Sequence, residues 1–166
     1  MGLSAAYSFT VTDRGYVGLS SYERKMITKI DRFTADGTFT PPAGVTYAIA
    51  HIQGGGGGTG GTSTAGGTSS VAFAAGTISA TGGNANTQGA NGHTRAGQAN
   101  SGQGGWSRAN DDSSNLSGGN GAYIVAGGAV TAGVGIAVTV GAGGTAGSAG
   151  GAGGSGYVWI EYQVTA

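Results

Sequence analysis

The chain has 166 residues, with 39 glycines, two prolines, no cysteine, and seven Lys/Arg against seven Asp/Glu. That length suits one domain with an arm. The missing cysteine excludes a disulfide framework and thiolate sites, two prolines exclude a collagen-like triple helix, and zero net charge offers nucleic acid no basic surface.

In chain order, Met1–Arg32 forms the first unit. Nine of the 14 charged residues precede Gly37, while 34 of the 39 glycines lie in Gly54–Gly156. An ordinary N-terminal arm, residues 1–32, is therefore expected to meet a glycine-rich body, residues 33–166. The arm has the composition that docks onto another protein or another copy. No signal peptide is expected, because the first residues lack an apolar run after basic ones.

Strands suit the body better than helices, since glycine costs about 1 kcal/mol per helical position. Met26–Thr34 alternates aliphatic and polar residues. Asp36-Gly37 and Pro41-Pro42-Ala43-Gly44 are turn signals. Thr46–Gln53 places Tyr47, Ile49, His51 and Gln53 on one face and Thr46, Ala48, Ala50 and Ile52 on the other. Ala122–Val140 is uncharged and long enough to suggest a membrane span, but its glycines and β-branched residues point to a buried strand pair, with Gly135–Val140 in register. Gly156–Val164 sets Tyr157, Trp159, Glu161 and Gln163 opposite Val158, Ile160, Tyr162 and Val164.

Two stretches stand apart. Gly82–Gly121 is rich in amides, with His93, Arg95, Trp106, Arg108, Asp111 and Asp112 among them. Amides and arginine hydrogen-bond hydroxyls and an indole face stacks on a sugar ring, so the stretch suits recognition of a sugar or protein surface. A long unstructured loop has the same composition. Gly141, Gly144, Gly147, Gly150, Gly153 and Gly156 fall at every third position. A polyproline II helix with three residues per turn would present them as one bare face, able to pack against neighbouring backbone. Glycine supplies no side chain to bury, so association with other copies is expected to supplement a thin core.

The apparent chemical motifs carry little. Gly141-Ala142-Gly143-Gly144-Thr145-Ala146 satisfies a dinucleotide fingerprint, but the half-glycine sequence after it cannot supply the required helix. No lysine follows Lys29, so no phosphate-loop lysine exists. His51 and His93 have no ligand or carboxylate at metal spacing in sequence. Asp111-Asp112 lacks the glycine and glutamate of a calcium loop. Neither an enzyme nor a cofactor is expected.

Phe33, then Gly37-Thr38-Phe39-Thr40-Pro41, Gly44-Val45 and a strand running into Gly54–Gly58 resemble the glycine-rich domain of tailed-bacteriophage tail fibres. Thr68–Phe73 with Ile78–Gly83 is similar to that family's serine-bearing strand and alanine-x-glycine-glycine step. Val138–Gly144 and Gly156–Tyr162 resemble its later strands, in the same order. The resemblance covers about Phe33 to Tyr162. It implies an all-β, antiparallel β-sandwich assembling as a homotrimer on the virion and touching the host through a variable loop, here about 83–121. The receptor-contact candidates are then His93, Arg95, Trp106, Arg108, Asp111 and Asp112. The implied partners are other virion proteins, through the arm, and a host surface polysaccharide or outer-membrane protein. Membrane insertion and nucleic-acid binding are not implied. A capsid decoration protein, and on the period-three glycines an ice-binding protein, are the other readings.

Overall fold

The computed structural model describes residues 8–11, 17–20, 25–87, 90–109 and 115–165. Among them the chain is all-β and antiparallel, with no helix. In order the strands are β1 (Ser8–Val11), β2 (Val17–Ser20), β3 (Met26–Phe33), β4 (Gly37–Phe39), β5 (Tyr47–Gln53), β6 (Ser69–Phe73) and β7 (Gly76–Ala80). Then come β8 (Ala90–Arg95), β9 (Trp106–Ala109), β10 (Asn115–Ser117), β11 (Tyr123–Ala129), β12 (Ile136–Thr139) and β13 (Tyr157–Thr165). β1 and β2 form a separate hairpin, and Met26–Arg32, expected in the arm, pairs along β13.

Two four-stranded sheets, β11-β5-β13-β3 and β4-β12-β6-β7, share one core. Alternation decides which residues enter it. Ala48, Ala50 and Ile52 of β5 and Val158, Ile160 and Tyr162 of β13 turn inward to meet Phe39, Val71, Phe73, Ile136 and Val138 from the other sheet. Each fully buried Val, Ile or Phe contributes about 1.5–3 kcal/mol. The Phe39 and Tyr162 rings pack with centroids 5.3 Å apart, tilted 45° to each other. The uncharged 122–140 stretch does hold two strands, β11 and β12. They lie in different sheets instead of pairing, because β11 extends β5 while β12 sits between β4 and β6.

Beyond β5 the chain does something the strand rules do not describe. Residues 54–59 leave the sheet, stay buried, and bond in sets that recur every third residue. Gly54 and Gly57 donate to the carbonyls of Ala122 and Gly119, Gly55 and Gly58 to those of Gly67 and Thr64, and Gly56 and Thr59 to those of Gly154 and Gly151, all at 2.8–3.0 Å. These three neighbours run antiparallel to the central segment. Three more run parallel and donate to it: Gly83 and Asn86 to Gly55 and Gly58, Gly144 and Gly147 to Gly56 and Thr59, and Gly105 to Gly57. One buried segment is thus ringed by six others. A period of three is that of a chain in the polyproline II conformation.

Glycine is required here for space. A Cβ on Gly54 or Gly57 would lie closer than 3.0 Å to the Thr81 or Asn84 carbonyl; on Gly55 or Gly58 it would strike that of Ala142 or Thr145. Hydrogens on Cα take those places and face carbonyl oxygens. Two buried hydroxyls tie down the ends. Ser69 Oγ donates to the Gln53 carbonyl at 2.6 Å and accepts from Gly141 N–H at 2.8 Å, where lattice meets sheets. Thr59 Oγ1 accepts from Gly151 N–H at 2.8 Å at the far end.

The period-three run Gly141–Gly156 is ordered, but it is not a single crossing with one bare face. It folds back at 147–150, where Gly150 N–H bonds the Gly147 carbonyl and Ala149 takes a φ of 51°. Gly153 and Gly156 then bond to the carbonyls of Gly144 and Gly141. Gly141 and Gly144 press against 64–67, whereas Gly150, Gly153 and Gly156 press against Thr59, Gly56 and Gln53. Glycine segments in one chain therefore satisfy one another, and the thin side-chain core does not by itself require association.

Candidate surface-recognition site

The lattice has two ends. At one, Gln53, Ala122 and Gly156 pass into the strands of the β11-β5-β13-β3 sheet. At the other the chain turns at 60–63 and 147–150 and forms β8, β9 and β10. Six residues at ~3.1 Å per residue separate the ends by roughly 16 Å.

The tip sheet is the middle of the 83–121 stretch, which is not one long loop. The segments near 83–86, 103–105 and 118–121 belong to the lattice, 97–102 runs beside 152–155 toward the sheets, and β8, β9 and β10 lie at the tip. Strand order is β10-β9-β8. Arg95 lies across from Trp106, Thr94 from Ser107, and Arg108 from Asn115, with a register irregularity between Ala90 and Thr94. Ser107 and its partner Leu116 are buried, Trp106 is half-buried and Arg95 is exposed. The sheet rests on the lattice: Gly151 packs beneath the carbonyls of Arg95 and Trp106, and Gly97 N–H bonds the Ala152 carbonyl at 2.8 Å. The Asn86 carbonyl accepts from Gly60 N–H and Ser63 Oγ, both at 3.0 Å.

Of the sequence candidates, Arg95 and Trp106 are thus brought directly together. Arg108 is two positions along β9 from Trp106, and His93 lies on β8 two positions before Arg95. Asp111 and Asp112 lie outside the described residues. The Gly141–Ala146 stretch holds no phosphate cradle, because the N–H groups of Gly141, Gly144 and Thr145 are spent on Ser69 Oγ, the Gly56 carbonyl and Thr64 Oγ1. Among the described residues no group of three or more His, Asp or Glu side chains could hold a metal.

A second cluster was not anticipated. Adjacent strands bring His51, Tyr123, Trp159 and Glu161 together on the outer face of the β11-β5-β13-β3 sheet. His51 Nδ1 is 2.8 Å from Tyr123 Oη, its Nε2 is 3.9 Å from Glu161 Oε2, and its ring lies 4.8 Å from that of Trp159. Sequence spacing hid the carboxylate, since Glu161 reaches His51 only through the β5–β13 pairing. Trp159 stacks in turn on Tyr157, 5.4 Å away and 22° from parallel. Burial and the nearby Tyr123 raise the Tyr157 phenol above its ordinary pKa. The alternation of β13 was the available signal: its outward set, Tyr157, Trp159 and Glu161, is visible in sequence.

No protein-family model, curated protein or solved structure matches the chain.

Proposed function

We propose that this is a non-enzymatic bacteriophage virion protein of tail-fibre or tail-tip type, whose tip sheet contacts the host cell surface. The observation that carries the reading is the seating of β8–β10. A polar, arginine- and tryptophan-bearing segment is held at the end of a backbone lattice, where it meets solvent on a firm base. Trp and Arg dominate binding hot spots because each desolvates a large area and keeps a polar handle. The order of glycine-rich pieces shared with tail-fibre domains supports the same reading.

A β-sandwich built from the two four-stranded sheets, and a homotrimer, belong to this proposal. Their shared core supports the first. The second comes from the resemblance, and sedimentation as a compact monomer at micromolar concentration would remove it. Immunogold labelling of particles tests location: label at the tail tip fits, whereas label over the head means capsid decoration. Purified protein should also block adsorption. Trp106→Ala should abolish that block while lowering Tm little. If Trp106 is instead a plug under the tip sheet, the cavity costs roughly 3–5 kcal/mol and the block survives.

A further inference from the structure

Two hollows lie on either side of the turn 100–102, away from the tip sheet. The first, about 410 Å³, is lined by Gln53, Gln98, Ser101, Gln103, Asn120 and Gly121. The second, about 170 Å³, lies against Arg32, Asn100, Tyr157 and Trp159. Register joins them, since Gln53 stands between Tyr123 and Tyr157 on one row of the sheet.

The polar groups of the first hollow are fixed before any ligand arrives. Gln103 Oε1 accepts from Gln98 N–H at 3.2 Å, which leaves its Nε2 as a double donor. Asn120 Oδ1 accepts from Gly104 N–H at 3.0 Å, which leaves Nδ2 as another. Gln53 Nε2 donates to the Gly121 carbonyl at 2.7 Å, which leaves Oε1 as an acceptor. The turn itself is pinned: Asn100 N–H bonds Ser155 Oγ, and Ser101 and Gly102 N–H bond the Ser155 carbonyl, all at 2.9–3.0 Å. Asn100 holds a left-handed φ of 56°.

This donor and acceptor set selects a ligand class. An anion would be met by donors alone and a cation by acceptors alone. Groups that both give and take hydrogen bonds answer to both, and hydroxyls do so. Beside them Tyr157 and Trp159, stacked on one another with centroids 5.4 Å apart, wall the second hollow with apolar ring edges against which the C–H groups of a pyranose pack. We propose that the groove from Trp159 and Tyr157 to Gln103 and Asn120 binds a neutral oligosaccharide of two or more sugars, as a site distinct from the tip sheet. The inference rests on the attachment reading for the source of the sugar, a cell-surface glycan; the binding itself does not depend on that reading.

The test uses the full chain against an array of neutral oligosaccharides and purified bacterial surface polysaccharides, followed by titration of a positive glycan with tryptophan fluorescence. Gln103→Glu and Asn120→Asp keep the oxygens that hold Gln98 and Gly104 and exchange the outward donors for a charged acceptor. Each should weaken binding about tenfold with Tm unchanged. Trp159→Ala should weaken binding at least tenfold, while Val134→Ala, at an exposed position outside both hollows, should leave it intact. Binding of no glycan on the array overturns the groove, as does binding that is indifferent to Gln103→Glu and Asn120→Asp. If no glycan binds yet the protein still blocks adsorption, the groove fails and the tip-sheet reading stands. If glycan binds but no particle carries the protein, the groove stands and the virion reading fails.

Discussion

Gly57→Ala is the sharpest probe of the lattice. Gly57 is buried mid-segment, with its N–H on the Gly119 carbonyl and its own carbonyl taking Gly105 N–H, both at 2.8 Å. An added Cβ would lie closer than 3.0 Å to the Asn84 carbonyl group and to Gly83 O. Backbone has no rotamer with which to step aside, so the 83–86 segment must retreat by at least ~1.4 Å to reach ordinary contact. That retreat stretches three bonds, Gly83 N–H to Gly55, Asn86 N–H to Gly58 and Gly119 N–H to Asn84, from 2.8–3.0 Å to beyond useful range. At about 1 kcal/mol each the loss is about 3 kcal/mol. A domain of this size then melts roughly 6–12 °C lower. Gly61→Ala is the control. Its Cβ would meet only Ser148 Oγ, at 3.9 Å, so the change should be neutral or raise stability by up to ~1 kcal/mol through the unfolded chain. Thermal melts followed by circular dichroism compare the two. Equal melting temperatures would refute the packed lattice.

Other expectations follow from the same geometry. Ser69→Ala should lower urea-measured stability by about 2–3 kcal/mol, because the buried Gly141 N–H and Gln53 carbonyl lose their shared partner. Gly147→Val should destabilise well beyond Ala146→Val: a Cβ at 147 meets Gly60 and Thr62 backbone at 2.6 Å, whereas Ala146 is exposed. Burial, the charge of Asp31 and the hydrogen bond to it raise the Tyr162 phenol above its ordinary pKa near 10. The folded state therefore keeps a proton that the unfolded chain releases, so stability is full below pH 10 and falls as pH rises above it. Tyr162→Phe should flatten part of that fall in alkaline denaturation curves.

The β strands that close the core were legible because alternation survives in them. Thr46–Gln53 and Gly156–Val164 were placed to within a residue of β5 and β13, and their inward sets, Ala48-Ala50-Ile52 and Val158-Ile160-Tyr162, are the buried ones. The period-three glycines announced backbone packing, but not the reversal at 147–150. Ser148-Ala149 differs little from its surroundings, and nothing local marks Ala149 for a positive φ. The central segment was hidden more deeply. Gly54–Gly58 has no side chains to reveal a period, and its six neighbours come from separate parts of the chain. Within the polar stretch, residue type pointed to Arg95 and Trp106 while their pairing stayed invisible, since β8 and β9 are short and glycine-flanked. The groove was missed because Gln53 and Trp159 lie on the sheet while Gln103 and Asn120 lie 39 or more residues from either.

A lattice held by backbone explains why so polar a chain can carry a recognition surface. Each ordered residue forfeits about 1–2 kcal/mol of backbone entropy, and glycine forfeits most. Each hydrogen bond returns a net ~0.5–1.5 kcal/mol. The lattice is therefore unfavourable on its own, and the apolar core that starts at Ile52, Ala122 and Val158 must anchor it. The division has a functional consequence. Side chains matter to the fold in the sheets, and their absence matters in the lattice. At 61–62, 94–96 and 148 neither demand is strict, because those residues are exposed and turn or pair beyond the last lattice bonds. Sequence there is free to follow a binding partner. Arg95 and Trp106 sit at that boundary, with their carbonyls resting on Gly151 and their side chains beyond it.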